Sequence, residues 1–180
     1  MSIAAVVAML AALLGVLNLA LMLGVIRRLR EHTELLSRAP EGTASIGRGE
    51  AVDAFDAVTV DGETVSRESL LDGSVVAFFS ATCAPCQERL PKFVAYAKTL
   101  PEGRRQALAV VIGEGEDLDG FVTALGPVAR VVVEKASDPV NSAFGVQRYP
   151  VVLAVARDDR GRLTVRSDRV NLNRPAPVAA

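Results

Sequence analysis

Tryptophan is absent, histidine occurs once (His32), cysteine twice, and the other aromatics are six phenylalanines and two tyrosines. A core must therefore be built mainly from Val, Leu and Ala, with a handful of Phe. A disulfide-stapled scaffold would need more cysteines at wider spacing. Cys83 and Cys86 with one distant His cannot complete a tetrahedral zinc site, which needs about four ligands, so no metal is expected. Gln87 follows Cys86, so the haem-attachment pattern C-x-x-C-H is missing and no cofactor is expected. Charge of either sign is not in excess: 20 Lys and Arg face 21 Asp and Glu, a formal net charge of -1. Nucleic-acid binding has no electrostatic support in that balance. The two cysteines, with two residues between them, are then either a redox pair or two incidental thiols.

From Ser2 to Ile26 there is no charged residue. About 24 residues at about 1.5 Å each reach roughly 36 Å, longer than a hydrocarbon core of about 30 Å. A cleaved signal peptide would begin with basic residues and carry a shorter apolar stretch. A core helix would show a polar face, and none is visible before Arg27. The reading is an uncleaved, single-pass membrane anchor, with Asn18 its lone polar side chain and His32 solvated beyond it. Arg27, Arg28, Arg30 and Arg38 form a basic flank, completing an anchor and juxtamembrane unit over 1–38. Residues 39–50, with Pro40, Gly42, Thr43, Ser45, Gly47 and Gly49, read as a flexible linker. Residues 51–170 are expected to form the globular domain and 171–180 a disordered, proline-rich tail.

Within the domain, Asp61-Gly62 marks a hairpin between Phe55–Val60 and Glu63–Val65. Val75–Ser80 is a continuous apolar run, expected as a central strand buried on both faces. Pro85–Leu100 reads as a helix with Leu90, Phe93, Val94 and Ala97 on its apolar stripe. A strand over Gln106–Ile112, a helix over Asp117–Leu125 and a strand over Val128–Val133 follow. A short helix over Pro139–Phe144, a strand over Val151–Ala156 and its antiparallel partner over Arg162–Val165 complete the pattern. Strands alternating with helices predict an α/β sandwich with a hairpin at one sheet edge.

Cys83-Ala84-Pro85-Cys86 falls where the strand ending at Ser80 meets the next helix. A helix N-terminus stabilises a thiolate through its free N–H groups and dipole, and the thiolate is the nucleophile in disulfide exchange. Pro85 suits the first helical turn, where its missing N–H would be unpaired anyway. Cys83 is thus the expected exposed attacker of lowered pKa, and Cys86, one turn in, the shielded resolver. Neutral Ala84 and Pro85 between them favour a reducing couple over a strong oxidant.

Thr82-Cys83-Ala84-Pro85-Cys86, followed by Leu90-Pro91, resembles the active-site region of the thioredoxin superfamily. Pro91 stands where that family has a helix-kinking proline. Phe144-Gly145-Val146-Gln147-Arg148-Tyr149-Pro150, ahead of Val151-Val152-Leu153, is similar to its second hallmark, a cis-proline before a strand. The resemblance covers about Ala51 to Val165. It implies a thioredoxin-like three-layer sandwich in which Pro150 packs against the cysteine pair and Tyr149 binds substrate backbone. The anchor and the inserted strand and helix resemble membrane-tethered bacterial thioredoxins of the TlpA/ResA-like branch. The Ser80-Ala81-Thr82-Cys83 context is most similar to its methylamine-dehydrogenase accessory (MauD-type) members. Three features depart from the superfamily pattern. Thr82 replaces a Trp, Ala77 occupies the place of a buried acid, and the final helix is missing, which leaves part of one sheet face for a partner or the membrane surface.

The implied activity is thiol–disulfide exchange on protein clients, with an upstream electron donor or acceptor. A peroxiredoxin-like peroxidase is the enzymatic alternative. It would require a Pro and a Thr at set spacing upstream of its Cys, which Ser80-Ala81-Thr82 does not supply. A non-catalytic, membrane-tethered binding module is the alternative of another class. The basic flank places the domain in the cytoplasm by the positive-inside rule. The resemblance places it outside, where disulfide-bearing clients are found, and the expected location is extracytoplasmic.

Overall fold

The computed structural model describes residues 44–176, together with Ile3, residues 12–15 and Asn18. The chain divides into a unit of residues 1–42 and a unit of residues 43–180. In the first unit Ile3, residues 12–15 and Asn18 are helical. Most of the expected anchor, its basic flank and His32 lie outside the described residues. Among the described residues no helix is long and apolar enough to cross a membrane.

In the second unit a hairpin comes first, with β1 (Asp56–Val58) antiparallel to β2 (Thr64–Ser66). Its turn forms where Asp61-Gly62 predicted it. Gly62 has φ 81°, a left-handed conformation open to glycine without steric cost, and its N–H donates to the Thr59 carbonyl. The main sheet has the order β5-β4-β3-β6-β7. Its strands are β3 (Val75–Ser80), β4 (Ala107–Ile112), β5 (Arg130–Glu134), β6 (Val151–Arg157) and β7 (Leu163–Ser167). β3, β4 and β5 run parallel, while β6 is antiparallel to β3 and β7 to β6. The helices are α1 (Ala84–Ala97), α2 (Asp119–Leu125) and α3 (Pro139–Ala143). The expected helix over Pro85–Leu100 thus stops at Ala97, and β5 begins two residues later than Val128.

Because side chains alternate across a sheet, β3 and β4 divide their apolar residues between two faces. Val75, Ala77, Phe79, Ala107, Ala109 and Val111 pack with Phe93 and Tyr96 of α1 and Phe121 and Leu125 of α2. Val76, Phe78, Leu108, Val110 and Ile112 pack on the other side with Val140 and Ala143 of α3 and Val65 of the hairpin. Both strands are buried on both faces, which is why they read as continuous apolar runs.

The outer strands of a sheet expose unpaired backbone groups, and here both edges are covered. The Val60 N–H donates to the Val131 carbonyl at 2.8 Å, laying the hairpin's turn on β5. On the other side the Gly49 and Val52 N–H groups donate to Val165 and Leu163 at 2.8 and 2.9 Å, and Ala51 bridges Thr164. Residues 44–50 of the expected linker are therefore seated on the domain, with Ile46 N–H on the Phe144 carbonyl at 2.9 Å. A strand edge with free acceptors and an apolar site for Ile46 outweigh the loop-forming bias of the neighbouring glycines.

The expected disordered tail needs a correction over 171–176. No helix follows β7 among the described residues, but Leu172 and Ala176 are buried in the α1-side core. The Ala176 N–H donates to Thr99 Oγ1 at 2.9 Å. This segment is a strap over part of the face expected to lie open, because Leu172 and Ala176 bury apolar surface in the α1-side core.

Candidate functional site

Cys83 is the N-cap of α1, with extended backbone (φ -95°, ψ 112°), and Pro85 is the second helical residue. The Cys83 carbonyl accepts the Cys86 N–H at 3.0 Å and the Gln87 N–H at 3.3 Å, which starts the helix directly behind the first thiol. Cys83 is half-buried and Cys86 fully buried, both as free thiols. The Ser80 N–H, at the end of β3, donates to Cys86 Sγ at 3.3 Å. Burial pushes the Cys86 thiol up from 9.0 to about 12, against that N–H and with a further upward push from Cys83. Cys86 shares its apolar cluster with Ala77, Phe79 and Phe93. Pro91 lies exposed within α1 and is not part of that enclosure, so Cys86 is shielded by the core and not by Pro91.

Tyr149 and Pro150 lie on the loop between α3 and β6, and the bond between them is cis. The Cys83 thiol donates to the Tyr149 carbonyl, with sulfur and oxygen 3.6 Å apart. Residues 66 positions apart in sequence thus meet at one point. Of the residues singled out from the sequence, Cys83, Cys86 and Tyr149 are brought together. Pro85 and Pro150 line a groove with Glu88, Arg89 and Lys92 of α1, Val170, and Asn171, Leu172 and Asn173 of the strap.

Behind Tyr149 is a polar network absent from the sequence reading. The Tyr149 hydroxyl donates to Asn141 Oδ1 at 2.9 Å. Asn141 is buried, and its Nδ2 donates to the Ala136 and Val146 carbonyls at 2.7 and 3.1 Å. Glu134, buried at the end of β5, accepts the Val140 and Asn141 N–H groups, one on each carboxylate oxygen at 3.0 Å. Burial raises the Glu134 pKa above 4.5, partly opposed by those two N–H donors. Burial likewise raises the Tyr149 phenol. Glu134 sits two positions after Val132, on the face occupied by α3. A carboxylate in phase with buried valines was the available signal.

The AhpC/TSA family model matches residues 48–166. No curated protein matches. Among solved structures, MTB dsbF in its mixed oxidized and reduced forms is 23% identical over 66% of this chain and 87% of its own, with a TM-score of 0.52. The thio-disulfide isomerase from Thermus thermophilus is 16% identical over 71% of this chain and 91% of its own, with a TM-score of 0.49. StoA from Bacillus subtilis is 16% identical over 68% and 92%, with a TM-score of 0.48. At these identities the likeness is one of fold.

Proposed function

The chain belongs to the AhpC/TSA family, and on that footing we propose that it is a thiol–disulfide oxidoreductase acting on protein disulfides through Cys83 and Cys86. The observation that carries the reading is the asymmetry of the pair. One thiol is half-exposed at a helix N-terminus beside the Tyr149 carbonyl, and the other is fully buried one turn behind it.

The Cys83 thiolate attacks one sulfur of a client disulfide. The client S–S bond breaks, a mixed disulfide forms, and the other client sulfur leaves as a thiolate. Cys86 then loses its proton and attacks Cys83 Sγ, forming the intramolecular disulfide and releasing the second client sulfur. Two electrons and the Cys86 proton reach the client, and the second proton, released to water when Cys83 ionised, returns from solvent to the last client thiolate. The departing client thiolate is the acceptor for the Cys86 proton, which no carboxylate at position 77 can take. The oxidised pair is reset by an external dithiol. Tyr149 offers its backbone to the client strand, and Pro150 and the groove beyond it hold the client segment. Pro91 contributes to the shape of α1 rather than to contact with sulfur.

Within the family, a TlpA/ResA-like or MauD-type place and an N-terminal membrane tether rest on the apolar run from Ser2 to Ile26 and on the resemblance around the cysteines. The domain then faces the extracytoplasmic side. A membrane-impermeant thiol reagent should label Cys83 in reduced whole cells, and failure to do so reverses that placement. Peroxidase activity, which the family also includes, lacks its upstream Pro and Thr here; consumption of peroxide by the purified protein would favour it.

The exchange reading is tested with insulin and dithiothreitol. Cys83→Ser should reduce no insulin and capture no client. Cys86→Ser should capture clients and hold them as mixed disulfides, visible on non-reducing gels, because the resolving attack is gone. Equal trapping by both variants, or better trapping by Cys83→Ser, would overturn the assignment.

A further inference from the structure

Tyr149 packs against both apolar cores, the one beside the cysteines and the one beneath α3. Its main chain meets Cys83 and its side chain meets the buried polar network. The carbonyl accepts the Cys83 thiol, and the hydroxyl donates to Asn141 Oδ1. Asn141 cannot turn away, because both of its Nδ2 hydrogens are engaged by the Ala136 and Val146 carbonyls. Its backbone N–H is held by Glu134 Oε2, while Oε1 holds the neighbouring Val140 N–H. Glu134 and Asn141 are 5% and 2% exposed, so water offers little competition for these bonds. A buried carboxylate is costly unless hydrogen-bonded, and the Glu134 carboxylate is held by the Val140 and Asn141 N–H groups in the first turn of α3.

We propose that Glu134 and Asn141 are positioning residues for the exchange site, anchoring the Tyr149 phenol so that the Tyr149 carbonyl stays at the Cys83 thiol. Fixed from behind, the peptide unit at 149 presents one orientation to the sulfur and to an incoming client strand. Without the anchor the ring stays in its apolar seat but the loop gains rotational freedom. A client strand must then order the loop as it binds, which weakens capture, while the Cys83 thiol, less firmly held by the carbonyl, meets small reagents faster. That consequence for turnover rests on the exchange reading above; the positioning itself does not.

The test uses the full chain and Tyr149→Phe, which keeps the ring and removes only the hydroxyl. Two quantities are read. One is the rate at which iodoacetamide alkylates Cys83 in the reduced protein at fixed pH, which needs no turnover. The other is the separate KM and kcat for insulin with dithiothreitol. Tyr149→Phe should speed alkylation and raise KM, each by about 3–10-fold, the factor that a hydrogen bond of ordinary strength is worth. Its kcat should change less than its KM, since the cost of ordering the loop falls on client binding. Glu134→Gln, which keeps one acceptor oxygen but not the charge, should shift both quantities in the same direction. In the Tyr149→Phe background it should add nothing, because the link it acts through is already cut. Parental alkylation and KM in Tyr149→Phe would overturn the inference, as would independent effects in the double variant. Altered alkylation in a protein that never reduces insulin would instead sustain the positioning and remove the exchange reading.

Discussion

The two faces of the sheet differ in what they bury. The face beneath α1 and α2 is hydrocarbon: Ala77, Phe79, Ala109 and Val111 meet Phe93, Phe121 and Leu125, with Cys86 among them. Phe79 and Phe93 pack edge to face at 5.6 Å. On the opposite face the alternation of β5 places Arg130, Val132 and Glu134 together, and both charged residues are buried. Arg130 Nη1 reaches Glu63 of the hairpin at 3.6 Å, while its Nε and Nη2 have no hydrogen-bond partner among the described residues. Glu134 instead is satisfied by α3. The two cysteine sulfurs lie on the apolar side, where burial keeps Cys86 a thiol. The charge that orders the site is kept on the other face and acts through Tyr149. A thiol pair can thus be surrounded by hydrocarbon and still be held in register by polar bonds.

The contrast is sharpest in labelling, where the expected outcome is all or none. Native reduced protein at pH 8 should take up one alkyl group, on Cys83, as read by mass spectrometry of its peptides. Cys86, pushed up to about 12 by burial, should be modified only after denaturant opens the α1 face. Two adducts on the native fold would mean that the hydrocarbon face does not seal the resolver.

Next in size is loss of packing. Phe93→Ala should cost about 3–5 kcal/mol in urea unfolding, since a fully buried ring leaves a cavity in the apolar cluster that also holds Cys86. Its native state should also admit reagent to Cys86. A cost below about 1 kcal/mol would show that the strap and α1 collapse into the gap.

The smallest effect belongs to the polar face and depends on pH. Glu134 has a folded pKa raised above 4.5, chiefly by burial, so its proton is bound more tightly folded than unfolded. The stability it confers is fully present below 4.5 and is lost as pH rises through its folded value. Glu134→Gln lacks this dependence. The stability of the parent relative to the variant should fall as pH climbs from 4.5, followed by denaturant melts at several pH values. A difference that grows with pH would mean that the two N–H donors, not burial, dominate at that carboxylate.

The strand Val75–Ser80, the turn at Asp61-Gly62 and the helix opening at Cys83 were legible because each depends on neighbours in sequence. A continuous apolar run, a glycine with positive φ and a proline in a first helical turn are local physics. The two cysteines and their unequal burial follow from the same junction. Seating of residues 44–50 against Phe144, Gln147 and β7, and of Leu172 and Ala176 on the α1 side, was not legible. Those segments are polar or rich in turn-formers, and their places depend on a sheet edge and a groove built by distant strands. The 3.6 Å approach of Tyr149 to Cys83, and the buried Glu134 and Asn141 behind it, belong to the same class. Periodicity reports which face a residue takes, but burial of a charge becomes tolerable only when another element supplies its hydrogen bonds. Which α3 N–H groups would meet Glu134 was decided by the β5–α3 connection, in three dimensions.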